Sequence, residues 1–124
     1  MNDRETLIEG ELKAALVARR ERLATELREE QAASTAERLG GQYAGEVHDR
    51  GEESSADAQA EVNSAIVRHH QQELGLVDNA LTRIDAGTYG ACVSCGDDID
   101  IARLQANPIT ARCRECQTAE ERRG

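Results

Sequence analysis

The sequence has no phenylalanine, no tryptophan, two tyrosines and a single proline, Pro108. A chain without large aromatic side chains lacks the residues that bury the most surface apiece, so a thick globular core is excluded. Its apolar surface comes mainly from Ala and Leu with scattered Ile and Val, a mixture suited to thin helix-on-helix seams. With one proline to interrupt it and 31% charged residues, the chain favours long solvated helices. No apolar run approaches the roughly 20 residues needed to span a bilayer. The opening "MNDRETLIEG" also lacks the basic start and apolar middle of a signal peptide. A soluble, cytoplasmic protein is expected, with no membrane association. At 124 residues there is room for one ordinary domain or for an extended element plus a small module, which argues against a large enzyme with a buried cleft.

Basic charge is also scarce. The formal net charge is −9, and the imbalance is local. Residues 1–40 carry nine acids and seven bases, whereas residues 41–60 hold Glu46, Asp49, Glu52, Glu53 and Asp57 against Arg50 alone. Affinity for nucleic acid comes largely from Lys and Arg releasing counterions, so no direct sequence-specific DNA binding is expected.

What is present is helical patterning. Leu12, Leu16, Leu23 and Leu27 recur at spacings of four and seven, one apolar stripe on a helix from about Glu5 to Leu39. "LGGQYAGEVHDRGEESS" then brings four glycines and no periodicity, which predicts a loop over about 40–54. A second helix, opened near Glu52 to Ser55, has the stripe Val62, Ile66, Leu74, Val77, Leu81 and Ile84, with His69 or His70 filling the missing turn. Gly87 should stop it. Two helices joined by one loop bury narrow stripes only against each other, which predicts a mainly α fold: a long antiparallel hairpin over 1–87. Thirty residues per arm at about 1.5 Å each would make a rod on the order of 45 Å, with the acidic loop at its far end. Residues 88–124 would form a small cysteine module at its base, followed by a short helix from about Gln117.

All four cysteines lie in "CVSCGDDIDIARLQANPITARCREC", as two Cys-x-x-Cys pairs separated by seventeen residues. A cytosolic chain keeps its thiols reduced, so this spacing points to metal before disulfide. Four thiolates from two short turns make the closed tetrahedral shell of structural zinc, here Cys92, Cys95, Cys113 and Cys116, with no open position for catalysis. An iron–sulfur centre fits the spacing less well, and oxidative release of zinc is a secondary possibility. The segment 88–116 has too few large apolar residues to fold alone, so metal binding would supply its folding free energy. His69 and His70 read as a helix pair with one member facing the seam, not as ligands. Tyr89 should pack between the helix base and the first cysteine pair.

The residues "ALTRIDAGTYGACVSCGDDIDIARLQANPITARCRECQ" resemble the zinc-finger region of the DksA/TraR family of bacterial transcription regulators. The resemblance is tight over 80–118, looser over 49–79, where "DRGEESSADAQAEVNSAI" is similar to the opening of the second hairpin helix, and architectural before that. It implies a protein that binds RNA polymerase and inserts an acidic coiled-coil tip into the secondary channel; a monomer is expected, and with no nucleophile–base pair, phosphate loop or open metal site in the sequence, a non-enzymatic one. The family's Asp-x-x-Asp-x-Ala tip falls on Asp49-Arg50-Gly51-Glu52-Glu53-Ser54. Asp49 is kept, Glu52 is a longer acid, and Ser54 replaces alanine; a second register uses Asp57-Ala58. The implied effector residues are Asp49 and Glu52, supported by Glu53 and Asp57. Family members that respond to ppGpp carry bases on the second helix, whereas residues 61–88 contain only Arg68 and Arg83, so little ppGpp dependence is expected. Arg103, Arg112 and Arg114 form either a docking face for polymerase or ordinary surface charge. The rival readings are a zinc-ribbon nucleic-acid binder and a coiled-coil interaction adaptor.

Overall fold

The computed structural model describes the backbone of residues 3–43 and 50–123 and the side chains of residues 5–36 and 57–123. Four helices follow one another: α1 (Asp3–Tyr43), α2 (Arg50–Ala86), α3 (Ile101–Ala106) and α4 (Arg114–Arg123). An isolated antiparallel bridge, Ala91 with Asp98, accompanies them among the described residues. The protein is mainly α, an antiparallel helical hairpin with a four-cysteine module. Both long helices reach further into the expected 40–54 loop than the glycines suggested. An established helix propagates through Gly40 and Gly41 at a cost of about 1 kcal/mol each. At the other side, acidic residues in the first turn favour a helix N-terminus, which suits an α2 that starts ahead of Glu52 and Glu53.

The chain divides into two compact units, one of Met1–Arg20 with Gly75–Gly124 and one of Glu21–Leu74, so the bases of both long helices group with the cysteine module. This division differs from the boundary at 87/88 read from the sequence.

In the first unit, Leu16, Val77 and Ala80 are fully buried in the helix seam, and Leu12 at 7% exposure continues it. Burying one such aliphatic side chain contributes roughly 1.5–3 kcal/mol. The pairing is antiparallel: Lys13 Nζ lies 3.9 Å from Asp85 Oδ1 and Arg20 Nε 2.5 Å from Asp78 Oδ1, so numbers rise on α1 as they fall on α2. These ion pairs are half exposed and guide register more than they add stability. α2 stops where the backbone turns left-handed at Gly87, φ 76°. The Gly87 N–H donates to Ile84 O at 3.1 Å and the Thr88 N–H to Arg83 O at 2.9 Å, the paired bonds of a Schellman cap. Open space surrounds the Gly87 Cα, so the requirement for glycine is conformational and not steric.

In the second unit, Leu23 and Leu27 are buried. Opposite them the α2 stripe follows Val67, His70 and Leu74, all half-buried, while Val62 and Ile66 are 52% and 43% exposed. The three-four alternation of Leu74, Val77, Leu81 and Ile84 extends backwards through His70 to Val67; the sequence reading took a four-residue step to Ile66 instead. Beyond Leu27, α1 offers Gln31, Ser34 and Thr35 and, among its described side chains, no large apolar partner, and an open cleft of about 870 Å³ lies there between the helices, lined also by Asn63 and Ser64.

This difference is measurable. Leu16→Ala is expected to lower stability by about 2–5 kcal/mol in denaturant unfolding followed by helicity. Val62→Ala should stay within about 1 kcal/mol of the parent; a larger loss would mean that the sequence-derived stripe is the packed one.

Candidate zinc centre

The module is built from turns that need little side-chain volume. After the Gly87 cap, the Tyr89 N–H donates to Arg83 O at 3.1 Å and the Tyr89 hydroxyl donates to Pro108 O at 2.9 Å, tying the helix end to the later loop. Tyr89 is half-buried against the small core of Leu12, Cys92, Ile99 and Leu104, as expected. Burial raises its pKa, and burial lowers that of neighbouring Arg83. Ile99 N–H to Gly90 O at 2.7 Å and Cys92 N–H to Asp97 O at 2.8 Å fold residues 90–99 back on themselves. Within that fold the Gly96 N–H donates to Cys92 O at 2.9 Å, closing the first Cys-x-x-Cys turn with Gly96 at φ 80°. The left-handed backbone explains why a glycine follows Cys95.

The second pair is mounted differently. Thr110 N–H and Oγ1 both donate to Asn107 O, at 3.0 and 2.6 Å, making a turn around Pro108. The chain then enters α4, with Cys113 immediately before the helix and its carbonyl accepting from the Gln117 N–H at 2.9 Å. Cys113 and Cys116 thus lie at a helix N-terminus, where negative charge is favoured.

The four Sγ atoms lie within 4.8 Å of one another, the grouping able to hold a metal ion among the described residues. Cys95 Sγ and Cys113 Sγ are 3.8 Å apart, and none of the four cysteines is in a disulfide. A tetrahedron with metal–sulfur bonds of about 2.3 Å has edges of about 3.8 Å, so the donor set fits zinc in chemistry and in size. Cys92 is buried, Cys95 exposed, and the other two lie between. Burial opposes ionisation of Cys92, but N–H groups of Cys113, Cys95 and Ser94 outweigh it and lower its pKa to about 6. The Asp97 N–H favours the Cys95 thiolate, yet burial and the neighbouring sulfurs of Cys92 and Cys113 hold its pKa above the usual thiol value. Cys116 is pushed to about 12 by the sulfurs of Cys113, Cys95 and Cys92. The cluster stabilises one thiolate and resists further negative charge until a cation neutralises it. Such a centre is a structural zinc site.

Of the other residues singled out in the sequence, Arg103 and Arg112 are half-buried and Arg114 is exposed. Arg103 Nη2 donates to Arg112 O at 3.3 Å, and Arg112 Nε donates to Ser94 Oγ at 3.2 Å. Two of the three arginines expected on a docking face are therefore engaged inside the module. Asp57 is exposed on α2. Asp49 lies outside the described residues, as do the side chains of Glu52 and Glu53, whose backbone belongs to α2. The sequence reading missed α3, whose Leu104 enters the core, and placed the start of α4 at Gln117 instead of Arg114. Both pieces are too short to show a period; Leu104 ahead of Asn107-Pro108 was the available signal. His70 faces the seam and His69 is exposed, in keeping with the helix-pair reading.

Chelation of zinc is expected to unfold residues 88–116 and to remove the ellipticity of α3 and α4, while much of the long-helix signal persists. Zinc loading at pH 7 must displace at least the protons of Cys95 and Cys116. Affinity should therefore fall as pH falls, most steeply below about 6, where Cys92 also takes up a proton. Competition with a chromophoric chelator across pH 5–8 measures this, and a flat profile would contradict it.

Comparison with known proteins agrees with this geometry. Residues 87–122 match the family model of the prokaryotic dksA/traR C4-type zinc finger. An uncharacterised protein of Aquifex aeolicus is 46% identical over 46 residues, 37% of this chain and 32% of that protein. The RNA polymerase-binding transcription factor DksA of Caulobacter vibrioides is 40% identical over 57 residues, 45% of this chain and 40% of its own. DksA of Escherichia coli is 35% identical over 67 residues, 52% of this chain and 44% of its own. The matched stretch therefore spans less than half the length of these relatives. Among solved structures, transcription factor DksA2 from Pseudomonas aeruginosa superposes with a TM-score of 0.76 at 21% identity, over 94% of this chain and 85% of that one, a likeness of fold. With its cysteine cluster and the matched family model taken together, the chain carries a dksA/traR C4-type zinc finger over residues 87–122, on a fold similar to that of DksA2.

Proposed function

We propose that this protein is a non-enzymatic regulator of bacterial transcription that binds RNA polymerase through its secondary channel and delivers acidic residues there. The observation that carries the reading is the coincidence, in one chain, of the matched finger at 87–122 with a DksA2-like fold over 94% of the sequence. Relatives that match 45% and 52% of the chain are named RNA polymerase-binding transcription factors. The zinc is structural, since four thiolates leave a tetrahedral ion no position for substrate.

In this reading Asp49 and Glu52 are the effector residues, with Glu53 and Asp57 in support. Carboxylates brought close to a catalytic Mg²⁺ and its basic surroundings act where screening is weak, so two or three of them suffice to perturb a nearby loop. The net charge of −9 suits delivery into such a site better than tracking along a duplex. Docking falls to Arg114 and to Arg122 and Arg123 at the end of α4, all exposed, because Arg103 and Arg112 are tied to the module itself. The protein acts as a monomer in the cytoplasm and with little dependence on ppGpp: Arg68 and Arg83 are the bases of 61–88, and Arg83 is half-buried beside Tyr89.

Capture of core RNA polymerase, combined with transcription in vitro, tests the proposal. Wild type should bind, and Asp49→Ala with Glu52→Ala should bind as well while losing its effect on transcription. A retained effect would remove the tip assignment, and absence of binding by the wild type would remove the proposal itself. Adding ppGpp should leave the affinity within about twofold; a large gain would overturn the ppGpp reading.

A further inference from the structure

The two cysteine pairs are separated by seventeen residues, 96–112, and a metal that had to gather them from a loose loop would bear the full entropy of closing it. Two hydrogen bonds that do not involve sulfur already join the two sides, and a third ties the second side to α3. The Val93 N–H, one residue after Cys92, donates to Ala111 O at 2.9 Å. Arg112 Nε, one residue before Cys113, donates to Ser94 Oγ at 3.2 Å, and Ser94 lies between Cys92 and Cys95. Arg103 Nη2 donates to the Arg112 carbonyl at 3.3 Å from α3.

α3 is itself anchored, since the next residue, Leu104, is 5% exposed in the core with Leu12, Cys92 and Ile99. Arg103 keeps a buried Nε without a hydrogen-bond partner. A buried donor left unpaired is costly, so the side chain is held by what its other nitrogen and its packing accomplish. The chain of contacts runs from the apolar core through Arg103 to the backbone ahead of Cys113, and from Arg112 into the first cysteine turn.

We propose that Ser94, Arg103 and Arg112 form a protein-only latch that holds the two cysteine turns in register, assembling the sulfur cluster before the metal arrives and slowing its escape. These are positioning residues: none offers a ligand atom, and their effect is on how much closure entropy remains for the metal to overcome. The latch differs from simple charge stabilisation of the thiolates. A guanidinium near four sulfurs would favour their ionised form through its charge alone, whereas the latch requires a donor at the Nε position and an acceptor on residue 94.

The test uses the full chain loaded with Co²⁺ or Zn²⁺. Affinity is measured by chelator competition, release by transfer to a chromophoric chelator, and coordination by the thiolate-to-cobalt charge-transfer band. Ser94→Ala and Arg112→Ala should each weaken binding and speed release by about fivefold, the scale of one hydrogen bond. The double variant should be no worse than the weaker single, because both remove the same bond. Helicity and the cobalt spectrum of the saturated proteins should match wild type, which a general loss of structure would not allow. Arg112→Lys, which keeps the charge and loses the Nε donor, should behave like Arg112→Ala. Arg103→Gln should also speed release. Release rates equal to wild type in Ser94→Ala, full additivity in the double variant, or recovery by Arg112→Lys would each overturn the latch. Ser94→Ala removes one partly solvated hydroxyl and so reports even if an arginine variant fails to fold.

Discussion

The crowding of four sulfur atoms within 4.8 Å of one another is the constraint on which the finger depends. Hydrogen bonds to the sulfurs of Cys113, Cys95 and Cys92, with burial and the charge of Cys113 adding to them, hold the proton on Cys116 and drive its pKa to about 12, while that of Cys92, supported by backbone N–H groups, is lowered to about 6. A divalent cation turns a cluster that resists charge into one that requires it. The apolar contribution is small by comparison. Leu12, Cys92, Ile99 and Leu104 are the buried residues of this core, and one of them is itself a ligand. Because Leu12 belongs to α1, the core of the module also holds that part of α1, and the Schellman cap at Gly87 sets the direction in which α2 enters it.

The second unit rests on different physics. Its seam contains Leu23 and Leu27, but the α2 side includes His70, whose Nε2 lies 3.6 Å from Glu26 Oε2 and whose Nδ1 lies 2.7 Å from Glu30 Oε1. The Nδ1 contact is close but lacks a partner aligned for a hydrogen bond, and Glu30 Oε2 is likewise buried without one. A polar residue at a seam position contributes little stability and penalises every other register, since a slip would leave the imidazole against an apolar neighbour. Past it the seam holds Ser34 and Thr35 beside an open cleft, and helix propensity replaces packing as the source of order. Such a segment opens locally at lower free energy than one riveted by metal and leucine.

The parts of this architecture that sequence could show are those with a period or a fixed spacing. Leu12, Leu16, Leu23 and Leu27 mark α1 because burial repeats with the helix, and the four cysteines mark the metal site because tetrahedral coordination by two short turns restricts their spacing. Gly87 marked the end of α2 because a left-handed residue is needed there. Where the apolar signal thinned, the reading slipped. With a histidine in the stripe, steps of three and four become equivalent on paper, and packing chose Val67 over Ile66. α3 has six residues, fewer than two turns, so its identity rests on one contact made by Leu104. The inward use of Arg103 and Arg112 left no trace in sequence, because a guanidinium donating to a carbonyl nine residues away has the same letters as one facing solvent.

That inward use bears on the kind of surface the finger presents. A phosphate-tracking face needs several free guanidinium or ammonium groups without acids among them. Removing Arg103 and Arg112 from the available set leaves Arg114, Arg122 and Arg123 on α4, where Glu115, Glu120 and Glu121 stand beside them in equal number. A helix of balanced charge neither attracts a polyanion nor repels an acidic protein at long range, and it meets a partner through specific pairs at short range instead. Within a chain whose acids exceed its bases by nine, α4 is a near-neutral element. The acids at 41–60, five against one base, hold the densest negative charge of the sequence.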